Sequence, residues 1–233
     1  MRRMLFAASG LALVLLLGAA LAAWCRAAES SRLAAAIKEQ VPVPLPAARA
    51  EGVRERAVAY ARSMGAPYDP LMGEYGDPFG RLGFVVCVDV PIRSYMSAGV
   101  SLPGLLRAAA HEHPEWFRIG PGNAPSNRFF YRRVRNYVDL FRRDPALEAS
   151  ETPRPGDLAF FGRWHVALVT HGGLDGTWKA VEASGPSVFV REWDGDVLTE
   201  RWGAPAFFGR LRAGRPPTSL PAPRRRGAPE PRR

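Results

Sequence analysis

Apolar and polar positions divide the chain into four stretches. Leu5 to Ala23 is almost wholly apolar and follows Arg2 and Arg3, the order of an export signal. Small residues for cleavage occur in Ala20-Leu21-Ala22 and again in Cys25-Arg26-Ala27, yet about twenty apolar residues are also long enough to span a bilayer. Residues 1–27 are therefore expected to be a signal peptide or a membrane anchor, and the rest to lie outside the cytoplasm, in the periplasm or cell envelope. Residues 28–50 read as a spacer, because Val41 to Pro46 runs Val-Pro-Val-Pro-Leu-Pro and prolines favour an extended segment. Residues 51–212 carry the periodic patterns of a folded domain. Residues 213–233 are dominated by Pro and Arg and are expected to be disordered.

Within the domain, the period is helical first. Val53, Ala57, Val58 and Ala61 fall at helical spacing and predict a helix over 51–64. Residues 67–83 are rich in Gly, Pro and Asp and read as a loop. Pro91 is tolerated only in the first turn of a helix, so a helix burying Val88, Ile92, Tyr95 and Met96 must begin near Cys87 and end by Gly99. Residues 102–110 and 131–143 predict two more helices, the second with Val134, Val138 and Phe141 as its apolar stripe. After Pro155-Gly156-Asp157 the period changes. Residues 158–161, 165–170, 178–183, 188–192 and 207–211 are short, β-rich and bounded by turn residues. Helices followed by an antiparallel sheet predict an α+β fold with the helices on one side of the sheet.

Composition agrees with a folded core, since 47% of residues are apolar, and six Trp and twelve Phe argue against disorder. The net charge of +10 is concentrated: residues 213–233 hold six Arg and one Glu, which supplies +5 of it. A basic chain invites nucleic acid as partner, but an exported chain with no nucleic-acid module excludes it. The tail reads either as a solvated segment attracted to anionic envelope polymers or as one with no partner. Only Cys25 and Cys87 are present. Trp24 stands before Cys25 where a lipoprotein site requires a small residue. Cleavage after Ala27 would leave Cys87 as a lone thiol in a compartment where cysteines are usually paired.

That thiol has candidate partners. A helix start and a nearby imidazole both favour the thiolate, which is the attacking form. Val85, Val86 and Val88 around Cys87 fit a buried, inert cysteine equally well. His111 and His113, in His-Glu-His-Pro, lack the spacing that puts two metal ligands on one helical face, so no metal site is expected. His171 falls beside Gly172-Gly173 and reads as turn. His165 opens the apolar strand His-Val-Ala-Leu-Val and needs a partner or a cleft there. Glu182, in the next strand, is placed to orient it, or else is an ordinary solvent-facing strand residue. Asp89 close to Cys87 would oppose thiolate formation, so it is expected to cap the helix or pair with Arg93 four residues on. Tyr75 and Trp164 are candidate cleft walls for substrate binding.

The order of these segments resembles a family. Cys at a helix start, then Pro-Gly-Asp-Leu-Ala-Phe-Phe, His-Val-Ala-Leu-Val and Val-Glu-Ala-Ser-Gly is similar to the NlpC-type, papain-like cell-wall cysteine peptidases. Val86 to Tyr95 and Arg132-Arg133-Val134-Arg135-Asn136 look closer still to domain-of-unknown-function family 1287. The resemblance covers roughly residues 73–212. It implies a papain-like fold, Cys87 as nucleophile, His165 as base and Glu182 as the residue that orients the base. Val88 departs from the small hydroxyl residue that usually follows the nucleophile, and Glu182 stands where His or Asn is more usual. The implied activity is thiolate acyl transfer without metal or organic cofactor, by a monomer, on peptidoglycan peptides or other envelope amides. A catalytically silent envelope-binding module and an acyltransferase or lipid-directed enzyme are the rival expectations, and residues 5–23 are the expected route to any membrane association.

Overall fold

The computed structural model describes residues 43–68, 85–173, 176–185 and 189–214. The expected signal segment, most of the spacer and tail, and the loop containing Tyr75 lie outside the described residues. No helix among the described residues is long and apolar enough to cross a membrane.

The architecture is α+β. β1 (Leu45–Pro46) leads into α1 (Ala47–Ser63), followed by α2 (Asp89–Ser97), α3 (Leu102–Glu112) and, after two short 3-10 turns at Pro114–Trp116 and Arg128–Arg132, α4 (Val134–Arg143). Then come β2 (Leu147–Ser150), β3 (Leu158–Phe161), β4 (His165–Gly172), β5 (Trp178–Glu182), β6 (Arg191–Asp194), α5 (Gly195–Trp202), β7 (Phe207–Leu211) and β8 (Ala213–Gly214). Six strands form one antiparallel sheet in the order β2-β7-β3-β4-β5-β6, and β1 pairs with β8 in a separate two-stranded parallel ribbon. The folded unit thus extends past both expected boundaries. Leu45 and Ala50 are buried, so the helix starts at Ala47 directly behind the prolines.

Both faces of the sheet are covered. Along β3 and β4 the side chains alternate: Leu158, Phe160, Val166 and Leu168 join the large core under α1 to α4, whereas Ala159, Phe161, Ala167 and Val169 face a second core with Leu198 of α5. This corrects the expectation of helices on one side only. A strand buried on both faces reads as a continuous apolar run, and Leu-Ala-Phe-Phe is one.

Close approach sets the packing of α4 on the sheet. Phe141 meets Phe160 at 5.5 Å between ring centroids, and Phe160 stacks on Phe207 at 4.8 Å. A Cβ at Gly209 would lie 2.7 Å from carbons of both Phe141 and Phe160. Gly209→Ala is therefore expected to cost about 1–3 kcal/mol in chemical denaturation, as overpacking does; a neutral result would mean that the rings repack freely. The Pro155-Gly156-Asp157 turn is tied down by polar bonds. Asp157, fully buried, accepts from Arg210 at 2.8 and 2.6 Å and from the Arg154 backbone N–H at 2.9 Å. Gly156 has φ +90°, a conformation that favours glycine.

Candidate active site

The site begins at the turn preceding α2. The Asp89 N–H donates to the Val86 carbonyl at 2.9 Å, and the Asp89 carboxylate accepts the Val86 N–H at 2.9 Å. This reciprocal pair, the logic of a capping box, fixes the backbone on both sides of Cys87. Pro91 sits in the first turn of α2, as its missing N–H requires. Val88 is buried in the main core and Cys87 is half-buried.

Asp89 braces the turn before α2 rather than capping the helix, whose N-cap Val88 makes no side-chain hydrogen bond, and its ion pair differs from the expected one. The hydrogen-bonded partner is Arg132, through two contacts, one of them Nε to Oδ1 at 3.2 Å. Arg93 acts on Asp89 only through its nearby charge. All three side chains are buried. Burial lifts the Asp89 carboxyl above the ordinary aspartate range, against the pull of Arg132.

β4 and β5 bring the other two residues together. Leu168 pairs with Val181 and Val169 with Ala180. Continuing that register sets Glu182 beside Ala167, on the same sheet face as His165 and one diagonal step away. His165 Nε2 bonds the Glu182 carboxylate, and the Cys87 side chain lies near enough to the His165 ring to help raise its pKa. An ionised carboxylate only accepts, so Nε2 carries the proton and Nδ1 is the nitrogen left for the thiol. Cys87, His165 and Glu182 therefore stand together, with the imidazole bonded to the carboxylate and beside the thiol.

Glu182 is fully buried and is not the solvent-facing strand residue it resembled. It also accepts from Ser184 Oγ at 2.8 Å, Arg201 Nη1 at 2.8 Å and Trp202 Nε1 at 3.1 Å. Burial acts to raise its pKa, but the bonds from His165 and Ser184 and the Arg201 charge outweigh it and hold the carboxyl below its ordinary range. For His165, burial acts to lower the pKa, yet the bonds to Cys87 and Glu182 raise it to about 9. The His165 contribution to stability is complete below its ordinary value of 6.5 and is lost as pH rises through about 9. That of Glu182 is present above its ordinary 4.5 and is lost as pH falls below it. The pair thus stabilises the fold most between those two values.

Arg201 and Trp202 were not anticipated. Both come from the end of α5, and the Trp202 ring stacks on His165 at 4.0 Å with an interplanar angle of 13°. The imidazole is consequently fixed at its edge by Glu182 and at its face by Trp202. Arg201 is steadied in turn by Trp193, whose ring lies 4.4 Å from its guanidinium.

A cleft of about 480 Å³ opens onto Cys87 and His165. Trp164 stands on its wall, 71% exposed, with its ring folded over Gly162 of the three-residue β3–β4 loop. Tyr68 lines the cleft as well, whereas Tyr75 lies outside the described residues. Among the described residues no group of three or more His, Cys, Asp or Glu is placed to hold a metal ion. His171, expected in a turn, lies in β4 beside an irregularity in its pairing with β5. No family model matches the chain, and no curated protein matches it either.

Proposed function

We propose that the protein is an exported cysteine hydrolase of papain-like, NlpC-type architecture that acts on amide bonds of bacterial envelope peptides, with peptidoglycan cross-linking peptides as substrate. The observation that carries the chemistry is that Cys87 and His165 line one open cleft, with the buried Glu182 carboxylate bonded to the imidazole. The Cys87 thiolate attacks the carbonyl carbon, and backbone N–H groups at the start of α2 hold the oxyanion. The His165 imidazolium then protonates the leaving amine. Water, deprotonated by His165, releases the acyl group and restores the thiol. Glu182 keeps the imidazole oriented and stabilises its charged form. The envelope substrate and the periplasmic location rest on the family resemblance and the apolar N-terminal segment.

Purified peptidoglycan digested with wild type and with Cys87→Ala, with products identified by mass spectrometry, tests this reading. Peptides released only by the wild type support it; identical products end it. Release of acyl groups from lipid esters instead of wall peptides would favour the lipid-directed enzyme. A thiol that iodoacetamide alkylates no faster than a model cysteine peptide near neutral pH would favour the silent binding module.

The pH profile provides a further check. The imidazolium must donate a proton to the leaving group, and His165 loses it near pH 9. The value of kcat/KM is expected to fall about tenfold per pH unit above 9. A plateau continuing past pH 10 would remove His165 from the acid role.

A further inference from the structure

The cleft above Cys87 is cationic in a way that the acyl-transfer chemistry does not require. Four arginines line it, Arg132, Arg133, Arg135 and Arg163, and no carboxylate among the described residues does. Two of the four are neutralised from behind. Arg132 is paired with Asp89, and Arg163 donates to both oxygens of Asp139, at 2.9 and 2.6 Å. The other two have no ion pair among the described residues. Arg133 donates to the Gly122 carbonyl at 2.9 Å, and Arg135 feels its neighbours as like charges. Burial, and then Arg133, Arg118 and Arg163, depress the Arg135 pKa against the pull of Asp139.

Unmet donors mark the same wall. Arg132 Nη1, Arg133 Nε and Arg135 Nε are each buried with no hydrogen-bond partner among the described residues. The Arg132 side chain is only 4% exposed, so water satisfies little of that need. Arg133, Val134 and Arg135 also form the N-terminus of α4, which has no side-chain cap and no acidic residue in its first turn. Its positive dipole end adds to the four guanidinium groups.

We propose that this wall binds a carboxylate of the substrate, so that the preferred acyl donor is a peptide bearing a free carboxylate next to the scissile amide. Arg133 and Arg135 are the specificity-determining residues. Guanidinium groups suit this task because their planar N–H pairs match the two carboxylate oxygens. That the anion is a peptide carboxylate rests on the reading of Cys87 as an amide-cleaving nucleophile; the anionic preference of the cleft does not.

The test uses the Cys87 thiol alone. Alkylation by iodoacetate, which is anionic, and by iodoacetamide, which is neutral, is compared for the protein and for a cysteine peptide. The iodoacetate-to-iodoacetamide rate ratio is expected to exceed that of the peptide by about tenfold at low salt and to decline as ionic strength rises. In Arg133→Gln/Arg135→Gln the ratio is expected to fall at least about threefold. A ratio equal to that of the peptide, or unaltered in the double variant, overturns the proposal. Because the ratio can be measured on a slow thiol, a sluggish Cys87 would count against the hydrolase reading and leave the cationic cleft readable. Protection of Cys87 from iodoacetamide then identifies the anion. A glutamyl dipeptide is expected to protect at lower concentration than its glutaminyl counterpart and than inorganic phosphate. Stronger protection by phosphate, or equal protection by the two dipeptides, rejects the carboxylate.

Discussion

Replacing Glu182 by Gln is expected to lower kcat/KM for peptide release by about 10³- to 10⁴-fold with the fold retained. The change is nearly isosteric, so its effect is electronic. Glu182 accepts the proton on His165 Nε2 and thereby leaves Nδ1 free to take the proton of the thiol. A Gln amide can turn its NH2 toward Nε2, which moves the ring proton to Nδ1 and blocks it as a base. Gln also leaves Arg201 beside a neutral group, so the amide oxygen is drawn toward Arg201 and the NH2 toward His165. One of the causes that raises His165 disappears as well, so the alkaline limb of the profile should move below pH 9. Alkylation of Cys87 by iodoacetamide near neutral pH should slow in parallel, which a defect confined to substrate binding would not produce. A loss below about threefold in both measurements would reduce Glu182 to a structural residue.

How much of this site the sequence reveals depends on the range of each interaction. Residues 158–161 and 207–211 are legible to the residue as strands because their apolar runs are bounded by Asp157, Gly162 and Arg212. Parity makes His165 and Glu182 plausible neighbours, since position 165 shares a face with 167 and 169 and position 182 with 180. Parity does not reveal what covers that face. α5 has eight residues, begins with Gly195 and Asp196, and buries only Gly195 and Leu198, so it lacks a periodic stripe long enough to read. Arg201 and Trp202 are hidden with it. The signal available was indirect: a buried Glu needs more donors than one imidazole supplies. β2 is invisible for a similar reason, because Leu147 is its one buried residue.

Local rules also mislead where a distant residue competes. Arg93 lies four residues after Asp89, the spacing at which a helical ion pair is expected. Arg132 lies 43 residues away and takes the hydrogen bonds, because the 3-10 turn ending at Arg132 delivers its guanidinium to the start of α2. The same displacement puts Arg132 in the cleft, where Arg93 is not. The pairing of Asp89 therefore couples the turn that carries Cys87 to the arginine wall of the cleft.

That coupling makes Asp89→Asn the substitution with the largest expected effect on stability. Asn can still accept the Val86 N–H, so the turn at Cys87 keeps its hydrogen bond while the charge is lost. The buried guanidinium of Arg132 then loses the counter-charge it is hydrogen-bonded to. Removing one partner of a buried pair costs about 3–5 kcal/mol, of which Asn returns a part because it lacks the carboxylate desolvation that lifts the Asp89 pKa. For a domain of this size the melting temperature should fall by about 10 °C or more, measured by thermal unfolding at neutral pH. Adding Arg132→Met removes the stranded charge and should restore part of the loss, giving a non-additive cycle of about 1–3 kcal/mol. Strictly additive losses would mean that Asp89 and Arg132 contribute independently. The position of Cys87 would then have to be explained by the packing of Val88 and by Pro91 alone.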